Sequence, residues 1–137
     1  VGISLLNEKG YFHQHIDEDG NQHEEDMIWN PAEKLTLVPN KVLVHIQGRP
    51  VYIQAWQHLI YGTKGNTIPI YFLDTNLEEN SEYDRTLTSH LYGGDRGYRL
   101  SQEIILGIGG TRMLESLGYH NIKKYHMNEG HAALLTI

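Results

Sequence analysis

The sequence predicts an α/β fold, with a first half built mainly of strands and hairpins and a second half that alternates helix and strand. Three observations lead to that class. Apolar residues recur at every second position from Val42 to Ile46 and again from Val51 to Ala55, the period of a pleated strand. Between Leu100 and Leu117 the apolar steps change to three and four residues, the period of an amphipathic helix. Near the end, His126-Met127-Asn128-Glu129-Gly130-His131 reads as a strand that turns into a helix. The elements divide into residues 1–75, mainly β, and residues 76–137, ordered helix, helix, strand, helix.

Val1 to Leu6 is a strand-like apolar run, and Tyr11 to Ile16 is a strand that enters a tight turn at Asp17-Glu18-Asp19-Gly20. The alternation from Val42 to Ile46 and from Val51 to Trp56 predicts an antiparallel hairpin, with Gln47-Gly48-Arg49-Pro50 as its turn. Ile68 to Leu73 is a short strand, and Pro69 belongs at its start or on an edge because it has no N–H to donate. Ser81 with Asp84 three residues on marks a helix start, with Leu87 and Leu91 on one face. After the break at 93–97, Leu100, Ile104, Ile108, Thr111, Leu114 and Leu117 form the stripe of a longer helix that Gly118 ends. Ile122 to Met127 is a strand, and the last helix follows it.

The 137 residues carry 11 basic and 17 acidic side chains, a net charge of −6, which argues against a nucleic-acid binder. Eight of the acids lie in the first 40 residues. With no cysteine there is no disulfide, thiolate ligand or cysteine nucleophile. No apolar run is long enough to cross a bilayer, so the chain reads as a soluble protein without a membrane partner. The apolar starts and stops at Val1-Gly2-Ile3 and Leu134-Leu135 read as cuts through a longer chain, so one incomplete domain is expected.

Each candidate motif has a plain structural use. Asp17 to Asp26 lacks the ligand spacing of a calcium loop and reads as a solvated hairpin tip. His13, His15 and His23 lack a zinc-site spacing and read as a polar strand face; no metal is expected. Gly107-Ile108-Gly109-Gly110 is no dinucleotide fingerprint, because Arg112 stands where the third glycine belongs. Three glycines in mid-helix instead predict close packing against a neighbour. At 126–131, position alone leaves two uses open: a polar ligand site beyond a strand end, or a helix cap by Asn128 with Glu129 in the first turn.

Several blocks, in order along nearly the whole chain, resemble the α-glucan (glycogen, starch or maltodextrin) phosphorylases, especially their shorter bacterial and archaeal branch. They are Gly10-Tyr11-Phe12-His13-Gln14-His15-Ile16-Asp17-Glu18-Asp19-Gly20, Leu73-Asp74-Thr75-Asn76, Leu91-Tyr92-Gly93-Gly94-Asp95, Arg99-Leu100-Ser101-Gln102-Glu103, Leu106 to Gly110, and His126 to Ala133. The resemblance implies a segment of the first of two Rossmann-like domains in a GT-B glycosyltransferase, facing the second across a cleft. It implies transfer of glucosyl units from the non-reducing end of an α-1,4-glucan to phosphate, giving α-D-glucose 1-phosphate. A cytoplasmic homodimer with pyridoxal 5′-phosphate as cofactor is the family pattern.

On the same resemblance, Asn128, Glu129 and His131 bind the glucan, although many longer members carry Asp where this chain has Glu129. Gly93, Gly94 and Asp95 match a loop that gates the cleft, here shorter than in animal and plant enzymes, and Arg99 is a neighbour of the cleft. Gln102 and Glu103 match the start of the following helix, where packing and capping would suffice to explain them. No complete catalytic set is present: Lys123 and Lys124 do not match the cofactor lysine, so the 137 residues alone are expected to be inactive. The alternatives are a non-catalytic carbohydrate-binding or scaffold module, and a nucleotide-sugar transferase on a similar fold.

Overall fold

The computed structural model of the chain describes residues 1–91 and 94–137. Six strands are present: β1 (Gly2–Leu5), β2 (Phe12–Ile16), β3 (Gln22–Asp26), β4 (Thr36–Ile46), β5 (Arg49–Tyr61) and β6 (Thr67–Asp74). Four of them form a mixed sheet of order β1-β6-β5-β4, in which β1 and β6 are parallel and the other pairs antiparallel. This is a mixed α/β arrangement, as expected.

The strongest alternation in the sequence forms the middle of that sheet. Val44, Ile46, Val51, Ile53 and Ala55 are buried on one face with Tyr71 and Leu73 of β6, while Tyr52, Gln54 and Trp56 take the other. The hairpin turn is tighter than the sequence suggested. Only Gln47 and Gly48 lie outside the strands, both with positive φ (51° and 80°), and Arg49 and Pro50 belong to β5. A two-residue turn of this hand matches the strand twist and favours glycine at its second position. Pro69 pairs with Leu59 just before β1 joins at Gly2↔Ile70, so its missing N–H interrupts no ladder to β1. The β2–β3 hairpin stands apart as its own two-stranded ribbon. Its tip is closed by Asp17, whose carboxylate accepts from the amides of Asp19 and Asn21 and meets His23 Nε2 at 2.7 Å. The His23 contact is the chief cause that lowers the Asp17 pKa. His15 stacks on His23, so two of the three strand histidines lie face to face.

The helical half departs further from expectation. A short helix α1 (Pro31–Lys34) was not foreseen, although Asn30 caps it and Pro31 opens it in the favoured order. Ser81 does cap a helix, but α2 spans only Glu82–Arg85 before the chain turns, and Leu91 is exposed. Two buried ties hold that segment in turns: Asp84 is clamped by Arg49, and Thr88 Oγ1 accepts from the amide of Thr75. The long helix is α3 (Arg96–Ile104), a π-helical turn (Ile105–Gly109) and α4 (Gly110–Ser116) in one run. The wider turn rotates the phase of everything around it. Ile105, Gly109 and Met113 are buried; of the stripe read from the sequence, Leu114 is in the core, Ile104, Ile108 and Leu117 are partly buried against it, and Leu100 is exposed.

The glycines of that turn pack closely, as the sequence predicts. A Cβ on Gly107 would lie 2.7 Å from the Leu134 carbonyl carbon, and one on Gly109 would lie 2.4 Å from Ile53 Cδ1. On Gly110 it would meet Ile3 Cγ2 at 3.1 Å. The helix thus rests on the sheet and on the last segment of the chain at once. That last segment is a 3₁₀ helix, Gly130–Thr136, where the sequence places the last helix. Ile122 to Met127 has no regular secondary structure and pairs with no strand among the described residues, so the expected strand is not formed.

Candidate functional site

The run α3–π turn–α4, the edge strand β1 and residues 122–135 enclose a cavity of about 540 Å³. Its polar lining includes Asn7, Arg99, Gln102, Glu103, Lys124, His126, Asn128, Glu129 and His131. Four of these are the residues that the resemblance assigns to the glucan side or its neighbourhood: Arg99, Asn128, Glu129 and His131. The structure brings all four to one wall.

Arg99 organises that wall. It sits in the first turn of α3, whose N-terminus Asp95 caps by accepting from the Tyr98 amide. Arg99 Nε bonds Glu103 Oε1 at 3.2 Å, the i,i+4 partner on the same helix face. Its Nη2 lies 2.8 Å from His131 Nε2. A guanidinium has only protons to give, so this imidazole nitrogen accepts and the ring proton of the neutral form sits on Nδ1. That Nδ1 is 3.5 Å from Glu129 Oε2. Glu103, Arg99, His131 and Glu129 therefore form a line of alternating acceptors and donors that ends on a carboxylate 71% exposed.

The backbone holds Glu129 in an unusual place. Its φ of +60° and ψ of −169° belong to a region populated almost only by glycine, at a cost of about 1–3 kcal/mol for other residues. Strain of this kind concentrates at ligand sites, where the surroundings over-determine the geometry. Here the 3₁₀ helix that follows is pinned against Gly107, which limits how Glu129 can relax.

Other expected residues fall elsewhere. Gly93 lies outside the described residues. Gly94 and Asp95 do not line the cavity; they shape the entry to α3. Gly94 has φ +71°, and a Cβ there would lie 2.6 Å from Tyr98 Cβ, so no larger residue fits. Tyr98 Oη in turn donates to the Thr86 carbonyl, tying the entry to the turns after α2. Gln102 is a structural tie as well as a wall residue, its Nε2 donating to the Leu87 and His90 carbonyls. Asn7 was not foreseen. It leaves β1 with φ +50°, is 6% exposed, and its Oδ1 has no hydrogen-bond partner among the described residues. An Asn is the residue type that tolerates such a φ, but nothing in Leu6-Asn7-Glu8 announces it.

A carboxylate, an imidazole, an amide and a guanidinium line one open cavity, a set of groups able both to donate and to accept hydrogen bonds. No protein-family model matches the chain. Individual proteins do. The chain is 38% identical over 139 residues to the maltodextrin phosphorylase of Thermococcus litoralis, covering 97% of this chain and 16% of that protein. It is 33% identical over 150 residues to the glycogen phosphorylase of Mycobacterium tuberculosis, covering all of this chain and 17% of the relative. With the glycogen phosphorylase of Aquifex aeolicus the identity is 32% over 142 residues, covering 98% and 20%. Along nearly its whole length the chain is thus similar to glycogen and maltodextrin phosphorylases, and it spans about a fifth or less of the length of these relatives.

Proposed function

We propose that the full-length protein is an α-1,4-glucan phosphorylase, moving the terminal glucosyl unit of a glucan onto phosphate to give α-D-glucose 1-phosphate. In this reading the 137 residues belong to the first Rossmann-like domain of a GT-B enzyme, and their cavity wall is the sugar side. The observation that carries the reading is the meeting of Arg99 with Glu129 and His131, 30 and 32 residues further along the sequence, in one cavity of a chain with phosphorylase relatives.

The chemistry of the wall suits a glucan. Sugar hydroxyls both give and accept, so they need neighbours of both kinds. The exposed Glu129 carboxylate accepts from a hydroxyl pair, the Asn128 amide offers both functions, and His131 is held in one tautomer by Arg99. Fixed polar groups of this sort need no reorganisation when positive charge develops on the sugar ring, which is where they stabilise the transition state most. Gly94 and Asp95 set the path of the loop that enters α3, and we assign the gating role to that loop.

The family's cofactor, pyridoxal 5′-phosphate, does not fit these residues. All six lysines are exposed, whereas an imine-forming lysine must be enclosed and desolvated. In this reading the cofactor is held by parts of the protein beyond these residues. Assay of the full-length protein with maltodextrin and phosphate tests the proposal. Phosphate-dependent glucose 1-phosphate is the expected product; turnover of a sugar nucleotide instead, or none by folded protein loaded with cofactor, would overturn it.

A further inference from the structure

Glu103 sits four residues after Arg99 on α3 and lines the same cavity, and helix stability does not account for the pair. An arginine near the N-terminus of a helix opposes the helix dipole. Arginine ahead of the acid is also the weaker order for a pair at this spacing. Nor does Glu103 cap α3, since Asp95 does so. What its carboxylate does is fix a plane. Oε1 accepts from Arg99 Nε at 3.2 Å, and the rigid guanidinium then carries Nη2 to 2.8 Å from His131 Nε2. The Arg99 side chain is 52% exposed and that of Glu103 only 24%, so the acid is the better anchored end of the pair.

We infer that Glu103 is a positioning residue for the glucan site: it holds Arg99 in the orientation that donates to His131. It thereby sets the face that the imidazole and Glu129 offer to a sugar hydroxyl. The inference rests on the phosphorylase reading of this cavity. An ion pair this open adds little to stability, because water competes for both charges. Its effect on the site is larger. Without Glu103 a long, exposed arginine has many rotamers, and few of them meet His131. The bond from Arg99 requires an unprotonated His131 Nε2, which leaves the ring proton on Nδ1, 3.5 Å from Glu129 Oε2. Glu103 thus acts on the exposed carboxylate through two intermediates and needs no contact of its own with the sugar. Lysine in place of Arg99 could not do the same, since an ammonium has no planar fork to span both partners.

Phosphorolysis of maltodextrin by the full-length protein tests it, with melting temperatures recorded alongside. Glu103→Ala should lose about tenfold in kcat/KM, within the range for a member of a hydrogen-bonded network, with a melting temperature within about two degrees of the parent's. Glu103→Gln keeps an oxygen for Arg99 Nε and should stay within about threefold of the parent. In an Arg99→Ala background, adding Glu103→Ala should cost nothing further, because the residue through which Glu103 acts is gone. Losses that multiply in the double variant would show Glu103 acting on its own and would overturn the inference. So would a Glu103→Ala enzyme with the parent's kcat/KM, or a loss that only follows the folded fraction. A folded, cofactor-loaded parent that makes no glucose 1-phosphate would instead remove the phosphorylase reading, and this inference with it.

Discussion

Two clusters in this chain pair an arginine with acidic groups, and they differ in nearly every physical respect. At the first, Arg49 grips Asp84 through Nε at 3.0 and 3.1 Å and Nη2 at 2.7 Å. The carboxylate also accepts from Ser81 Oγ and is almost wholly enclosed, at 3% exposure. Arg49 uses its remaining nitrogen on the Ile46 carbonyl and Gln47, and packs over Tyr83. No group there waits for a partner from outside. At the second, Arg99 faces an imidazole as well as a carboxylate, Glu129 is largely exposed on a strained backbone, and a cavity opens beside them. The closed cluster has the character of a fastener between hairpin turn and α2. The open one has polar capacity left over, which is what distinguishes a site from a strut.

The comparison can be broken by substitution. Asp84→Asn should destabilise most, by about 2–4 kcal/mol, because removing one member of a buried pair strands the other. The figure falls toward the lower end since Arg49 is 33% exposed. Arg49 holds the Asp84 carboxyl below its usual pKa, so its contribution is present above about pH 4 and is lost as the pH falls through the folded value. Urea titrations should show that acid-side loss in the parent and a flatter profile in the variant, with KM for glucan unchanged. Gly107→Ala comes next, at about 1–3 kcal/mol of overpacking, because the new methyl meets the 134–135 backbone. Unlike Asp84→Asn, it should also raise KM, since it displaces the segment that carries His131.

Smaller effects sharpen the contrast. Glu129→Gln should leave the melting temperature within a degree or two while raising KM for maltodextrin about tenfold, equivalent to about 1.4 kcal/mol. Glu129→Gly should raise stability by up to about 1 kcal/mol by relieving its backbone, yet weaken glucan binding as much as Gln does. Equal KM for parent and Glu129→Gly enzymes would mean that the strained turn serves the fold alone.

How much of this was legible depends on whether the signal was local. The alternation through Val42–Trp56 specifies the hairpin because burial on one face repeats every second residue, and the mid-helix glycines announced their close contacts. Of the stripe read for the long helix, Ile104, Ile108, Leu114 and Leu117 do pack in or against the core, but nothing in Leu106-Gly107-Ile108 marks the π turn, Ile105 is buried outside that stripe, and Leu100 is exposed. Ile122 to Met127 has strand character, yet a strand needs a partner, and local pattern does not supply one. At the site, Arg99 and Glu103 show an i,i+4 spacing and family resemblance brings Arg99 and His131 near one cleft, but their direct contact across 32 residues has no mark in the sequence. Asn7 stayed hidden, since its place on the wall arises only once β1 and α3 are packed.

The central claim is that the open cluster binds glucan while the closed one holds the fold. The most direct measurement is phosphate-dependent release of glucose 1-phosphate by the full-length protein and its His131→Ala and Asp84→Asn variants, each with its melting temperature. The account predicts that His131→Ala loses at least tenfold in kcat/KM with its stability nearly intact, and that Asp84→Asn loses stability while its folded fraction keeps normal kcat/KM. A His131→Ala enzyme with the parent's kcat/KM would contradict it.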